Sequence, residues 1–177
     1  MEGGLLLIRI VLGAIMVAHG AQKLFGWFGG HGLSGTGSGL ESMGLRPGRM
    51  YAAVNGVAEF GGGALLVLGL LTPLGAAAVA GVMFVAIATV HWTNGFFNTR
   101  GGYEFNLLIV ATAIALAITG PGEISIDHLA GWTLAGPAWG LGALGISAAA
   151  AGLVLALRKP RPEQGPDEEP ADEVHAT

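Results

Sequence analysis

Residues 51–92 read YAAVNGVAEFGGGALLVLGLLTPLGAAAVAGVMFVAIATVHW. Two apolar runs, Tyr51–Leu71 and Leu74–Trp92, are separated by little more than Thr72-Pro73. Each run has about the 20 mainly apolar residues that a helix needs to cross a bilayer. So short a turn makes the two a tight antiparallel hairpin. Working outward, three more runs of this kind appear at Leu5–Phe25, Phe105–Thr119 and Pro137–Leu157. The expected fold is all-α, a polytopic membrane helical bundle of five spans. Phe105–Thr119 is the shortest and must borrow residues from one end.

Composition agrees with a lipid solvent. The chain is 52% hydrophobic and 11% charged, whereas a soluble domain carries about 25% charged residues. Glycine, at 32 residues, is commoner in transmembrane helices than in soluble ones. The first run has Glu2 in place of a basic segment, is long for a signal peptide and precedes no clear cleavage site. It is expected to be a retained helix. There are no cysteines, which excludes disulfides, thiolate-bound metal, iron–sulfur clusters and thiol redox chemistry within this chain. No nucleic-acid partner is expected, and the bilayer is the partner that the composition implies. Residues 158–177 carry several prolines and an acidic run, Asp167, Glu168, Glu169, Asp172 and Glu173. They are expected to be a disordered tail.

Lys23, Arg46, Arg49, Arg100, Arg158, Lys159 and Arg161 all fall on one side of such a bundle. They are seven of the eight basic residues. The positive-inside rule makes that side cytoplasmic. The expected location is a bacterial inner (plasma) membrane, amino terminus out and carboxyl terminus in. The eighth, Arg9, lies near the outer end of the first span and is expected to reach the outer surface.

At 1.5 Å per residue, the polar residues can be placed in depth. Lys23 is near the cytoplasmic end of the first span, with His19 about one turn deeper. Asn55 lies about one turn into the second span and Glu59 about two, at i and i+4 on one face. An isolated charge deep in a bilayer costs roughly 2.5–3.5 kcal/mol on insertion scales. Glu59 is too short to snorkel far, so it is either protonated or paired, and Lys23 and His19 are at a compatible depth. An intramembrane carboxylate points by default to ligand or proton handling, and the plainer reading is a buried pair that fixes helix register.

A second polar cluster, HWTNGFFNTRGGYE at 91–104, lies on the same side. It contributes His91, Asn94, Asn98, Arg100, Tyr103 and Glu104, and is expected to wall a pocket floored by Glu59. His91-Trp92 also fits an interfacial aromatic belt. Glu59 and His91 are the candidate proton-handling residues. His19, Lys23, Asn55, Asn98, Tyr103 and Glu104 are the candidate ligand-binding ones. His31 sits in a glycine-rich loop without the ending of a phosphate-binding loop, and His128 and His175 lie outside the expected helices. A haem between His19 and His91 is discounted on depth, and no metal site is expected. The glycines Gly56, Gly62, Gly63, Gly142 and Gly145 are expected to serve close helix packing.

Three motifs are specific: HGAQKLFG at 19–26, AEFGGGALLVLGLLT at 58–72, and HWTNGFF at 91–97 followed by GGYEFNLL at 101–108. With them, residues 5–127 resemble the DoxX family of small bacterial membrane proteins. The resemblance implies a four-helix membrane core over 1–127. Residues 128–157 would add an outer loop and a fifth span, and 158–177 the acidic tail. It is similar to a membrane subunit of thiosulfate:quinone oxidoreductase, and some mycobacterial members are linked to a membrane oxidoreductase complex in oxidative-stress defence. The chain would then be a non-autonomous subunit of a quinone-linked oxidoreductase complex, with a quinone as cofactor and redox-enzyme subunits as partners. The other reading is a non-catalytic scaffold or a small-solute carrier with Glu59 as the coupling carboxylate. The topology is testable: a carboxyl-terminal reporter is expected to be active only in its cytoplasmic form, and activity of an exported reporter would overturn the orientation.

Overall fold

The computed structural model describes residues 2–159. Its main helices are α1 (Glu2–Phe25), α2 (Gly32–Ser42), α3 (Gly48–Leu68), α4 (Thr72–Ala86), α5 (Glu104–Thr119), α6 (Ile126–Leu129) and α7 (Pro137–Ala156). There are no strands among the described residues. Glu2–Phe25, Gly48–Leu68, Thr72–Asn94 and Pro137–Ala156 are long and apolar enough to span a membrane, and Glu104–Thr119 is a shorter apolar helix. The protein is a helical membrane bundle. Most of the acidic segment at 158–177 lies outside the described residues.

The closest packing joins α1 to α3. A Cβ added to Gly13 would lie 2.6 Å from Gly63 O, and one added to Gly20 would lie 2.7 Å from Gly56 O. The pairs run in opposite directions, so the helices are antiparallel. On α1 the stripe facing α3 is Arg9, Gly13, Met16, Gly20 and Lys23, at spacings of four and three. On α3 it is Ala52, Gly56, Glu59, Gly63 and Leu66, in the same rhythm and all buried. This is the seam of an antiparallel coiled coil, with glycines at the points of closest approach.

The α3–α4 hairpin closes as Thr72-Pro73 suggests. Gly69 ends α3 in the left-handed region at φ 60, Leu70 N donates to Leu65 O at 3.0 Å, and Pro73 sits in the first turn of α4. Leu71 also takes a positive φ of 46, which is costly for a side chain with a Cβ. Asp127 holds it there from the opposite loop. Its carboxylate accepts from Leu71 N at 2.7 Å, Thr72 N at 3.0 Å and Thr72 Oγ1 at 2.8 Å. It thereby caps the amino end of α4 from a distant part of the chain.

Arg9 does not reach the outer surface as expected. It is 1% exposed. Side chains lean toward the amino end of their helix, which aims Arg9 at the last turn of α3. There it donates to Leu66 O at 2.9 Å, which also accepts from Gly69 N at 3.2 Å, and to Val67 O at 3.0 Å. It also donates to Pro121 O at 2.6 Å and Ile124 O at 2.8 Å. With no water in the hydrocarbon, carbonyls at membrane depth need donors from the protein, and Arg9 supplies one to Val67, Pro121 and Ile124.

Three other expectations are corrected. The glycine-rich stretch after His31 is not a loop but α2, whose Gly37 lies against Gly48 and Arg49. His128 lies in α6, a single turn that Ser125 caps. On α7, Gly142 and Gly145 have no neighbour within 4 Å, and it is Gly140 that packs, against Ile118. α7 leans on α4 and α5. Its far end is tied to the α2–α3 connection by Arg158 Nε donating to Met43 O at 2.6 Å and Lys159 N to Gly44 O at 2.9 Å. This puts Lys23, Arg46, Arg49, Arg158 and Lys159 at one end of the bundle, called the basic end below.

The seam makes a direct prediction. In Gly63→Leu the new side chain meets backbone of α1, which cannot give way, and forced overpacking costs at least about 1–3 kcal/mol. Gly142→Leu enters open space. Size-exclusion chromatography of detergent-extracted protein is expected to show loss of the monodisperse peak for Gly63→Leu alone. Equal profiles would remove the seam from its place in the fold.

Candidate functional site

The register of the α1–α3 seam brings Lys23 and Glu59 together. Lys23 leans toward the amino end of α1 and Glu59 toward the amino end of α3. In antiparallel helices the two side chains therefore point at each other. Lys23 Nζ donates to Glu59 Oε1 as a salt bridge. Glu59 is 2% exposed, while the Lys23 side chain keeps a quarter of its surface open, running its stem along the helices toward the basic end. The pairing answers the cost of a carboxylate at this depth. It satisfies only one oxygen, since Glu59 Oε2 is buried with no hydrogen-bond partner.

One turn below Glu59, Asn55 Oδ1 is also buried and unpartnered. Both are acceptors. His19, one turn from Lys23 on α1, lies within electrostatic reach of Glu59 but is exposed on the outside of the bundle. Lys23 and Glu59 are thus the part of the expected site that the structure brings into contact, with Asn55 and His19 each one turn away.

The segment 91–104 is a separate unit. α4 widens into a π-helical turn at Ile87–His91 and the chain then folds on itself. His91 Nδ1 lies 2.6 Å from Gly101 O, and Asn94 Nδ2 donates to the same oxygen at 3.2 Å. Tyr103 N donates to Gly95 O at 3.2 Å and Glu104 N to Phe96 O at 2.9 Å. Trp92 stacks on Tyr103 at 5.5 Å between ring centroids, and Phe96 meets the same ring edge-on. Residues 92–101 are exposed, Asn98 and Arg100 among them, and Glu104 opens α5. Among the described residues, no hydrogen bond or ion pair joins this unit to Lys23, Glu59 or Asn55. Two of the polar side chains that mark the segment in sequence, His91 and Asn94, are used to close its own loop.

Two features had no local sequence signal. Asp127 caps a helix more than fifty residues away. Asn106 is buried in α5, its Nδ2 lying 3.4 Å from Met83 Sδ. A third, a hollow beside Asn55, is made by small residues on three helices. It is a half-open apolar cleft of about 240 Å3 between α3, α4 and α7, and Asn55 and Tyr51 are the polar residues on its wall. Among the described residues there is no group of three or more His, Asp or Glu placed to hold a metal ion.

The DoxX family model matches residues 4–92. Inner membrane protein YqjF of Escherichia coli K12 is 34% identical over 128 residues, 71% of this chain and 91% of that protein. "Putative oxidoreductase CatD" of Bacillus subtilis is 35% identical over 126 residues, 71% of this chain and 86% of that protein. No solved structure matches the chain.

The buried pair predicts a non-additive mutant cycle. Lys23→Met leaves Glu59 without its cation and is expected to cost roughly 3–5 kcal/mol. Adding Glu59→Gln removes the stranded charge and is expected to restore much of that loss. Unfolding of detergent-solubilised protein by increasing SDS measures all three variants. Additive costs would mean that the two groups do not act as a pair.

Proposed function

Because the chain belongs to the DoxX family of integral membrane proteins, we propose that it is the membrane subunit of a quinone-linked oxidoreductase complex. The Glu59 region would handle protons at the basic end. The observation that carries this reading is Glu59 itself, a carboxylate at membrane depth with one oxygen held by Lys23 and the other free. A carboxylate needed only to fix helix register would be expected to have both oxygens satisfied. One with an unpartnered oxygen can take up a proton there and release it again.

The chain has no cysteine, so electrons must come from elsewhere. A quinone would supply two-electron, two-proton chemistry when bound. The residues present suit the proton half of that exchange. Glu59 Oε2 and Asn55 Oδ1 are unpartnered acceptors on one face of α3, and Lys23 steadies the carboxylate. His91, half-buried at the start of the exposed unit, would be a second proton-handling group, at the membrane surface. Asn98, Tyr103, Glu104 and the rings of Trp92, Phe96 and Phe97 give that unit a polar and aromatic face for a redox-enzyme partner. By the distribution of Lys and Arg, this end faces the cytoplasm. The printed name of the Bacillus subtilis relative points the same way.

Two measurements test the proposal. Tagged protein isolated in mild detergent is expected to bring down a redox enzyme or near-stoichiometric quinone. A bare chain with neither would favour a scaffold or a carrier. In the isolated complex, Glu59→Gln is expected to lower quinone-linked turnover by roughly 100-fold, the scale of a lost acid–base group. Arg100→Gln, on the exposed loop, is expected to leave it near wild type. Equal activity of the two variants would reduce the Lys23–Glu59 pair to packing.

A further inference from the structure

α3 and α7 both pack on α4 and leave between them the half-open apolar cleft of about 240 Å3. It follows α4 from Leu74 to Val85, about 16 Å at 1.5 Å per residue. Ala58 on α3, Ala78 and Gly81 on α4, and Ala150 on α7 keep it open. Val54, Leu74 and Ile146 also line it and are more than half exposed. All three lie in helices that are long and apolar enough to span a membrane, so the cleft opens onto hydrocarbon. An apolar cavity of about 150 Å3 is enough to take benzene, so this one has room for a stretch of acyl chain.

One end of the cleft is different in character. Leu45, Tyr51 and Val154 pack together there, at the basic end. Each is close in sequence to a cation: Leu45 precedes Arg46, Tyr51 comes two residues after Arg49, and Val154 is one helical turn from Arg158. Arg158 and Lys159 are set beside this connection by the bonds of Arg158 Nε to Met43 O and Lys159 N to Gly44 O. Arg46, Arg49 and Lys159 are exposed and Arg158 is half-buried. Among the described residues none of the four is in a salt bridge. Glu41, the carboxylate that reaches this connection, has one oxygen taken by Gly48 N at 2.7 Å.

An acyl chain alone would suit the cleft and leave the four cations without a counter-charge. A soluble anion would suit the cations and leave the cleft unused. A lipid with a zwitterionic headgroup would bring an ammonium against the arginines. We propose that the cleft and the cations at its end together bind one anionic phospholipid, with an acyl chain along α4 and the phosphate at Arg46, Arg49, Arg158 and Lys159. Arginine suits a phosphate because its planar fork holds two oxygens at once, and Lys and Arg beside a membrane span attract anionic headgroups. This site is separate from the Glu59 region and does not depend on the quinone-linked reading. Its α7 wall, Arg158 and Lys159 lie beyond the residues 4–92 that match the family.

The test is native mass spectrometry of the full chain in mild detergent, mixed with phosphatidylglycerol and phosphatidylethanolamine of identical acyl chains. The wild type is expected to retain one phosphatidylglycerol, preferred at least about tenfold, the scale of one or two cation–headgroup attractions. Arg46→Gln combined with Arg49→Gln, both exposed, is expected to retain lipid and lose most of the preference. Ala150→Phe, which fills the cleft, is expected to lose retained lipid of both kinds at an unchanged unfolding temperature. Ile146→Trp, at the exposed edge, replaces it if Ala150→Phe unfolds at a lower temperature. Equal retention of the two lipids by the wild type overturns the proposal, as does a preference that survives loss of both arginines. Retention that survives a filled cleft overturns it too, since the headgroup would then be held without the chain. No retained lipid in the wild type also overturns it. If lipid then appears once Asp167, Glu168, Glu169, Asp172 and Glu173 are changed to Asn or Gln, the cations belong to the acidic run of the same chain.

Discussion

The rest of the bundle hangs on how closely α1 can approach α3. In lipid no hydrophobic force prefers helix to solvent, so association rests on van der Waals contact and internal hydrogen bonds. Gly13 and Gly20 on α1, with Gly56 and Gly63 on α3, let the backbones meet where any side chain would collide. Once that register is set, the residues at the ends of the stripe have no freedom of placement. Arg9 must fall at the carboxyl end of α3 and Lys23 beside Glu59. The two charge problems of the membrane interior are solved by one helix pair, each through a basic residue leaning toward the amino end of α1.

The two ends of the bundle use polar groups differently. Far from the basic end, no buried side-chain nitrogen or oxygen among the described residues lacks a partner. All three nitrogens of Arg9 donate, and both carboxylate oxygens of Asp127 accept. Near the basic end, Glu59 and Asn55 each keep an oxygen in reserve. Both unpartnered oxygens lie on α3 toward the basic end, and Asn55 also borders the apolar cleft between α3, α4 and α7.

The spans were legible because a bilayer demands length and apolarity, and both are read from composition in a window. The helix-pair register was partly legible. The i, i+4 placement of Asn55 and Glu59, and the matching depth of Lys23, follow from helix geometry alone. Three things were not. GLSGTGSGLES looks like a loop because glycine disfavours helix, yet it folds as α2 because Gly37 lets it lie against the start of α3. Arg9 reads as a snorkelling residue because its carbonyl partners are spread over Leu66, Val67, Pro121 and Ile124, which nothing near Arg9 announces. HWTNGFFNTRGGYE reads as the wall of a site because it is polar, and two of its polar side chains, His91 and Asn94, are turned inward onto Gly101 O. Local pattern gives elements. It does not say which groups a distant loop will consume.

Arg9 also bears on how the protein is made. It sits in α1, which is made before α3, and its acceptors lie 57, 58, 112 and 115 residues further along the chain. Until α3 arrives, the guanidinium is a bare cation in a helix bound for lipid, and until Ile124 arrives it is only half satisfied. The final contacts of Arg9 form only after α3 has joined α1. Biogenesis of this bundle is therefore a delayed pairing rather than a succession of independent insertions.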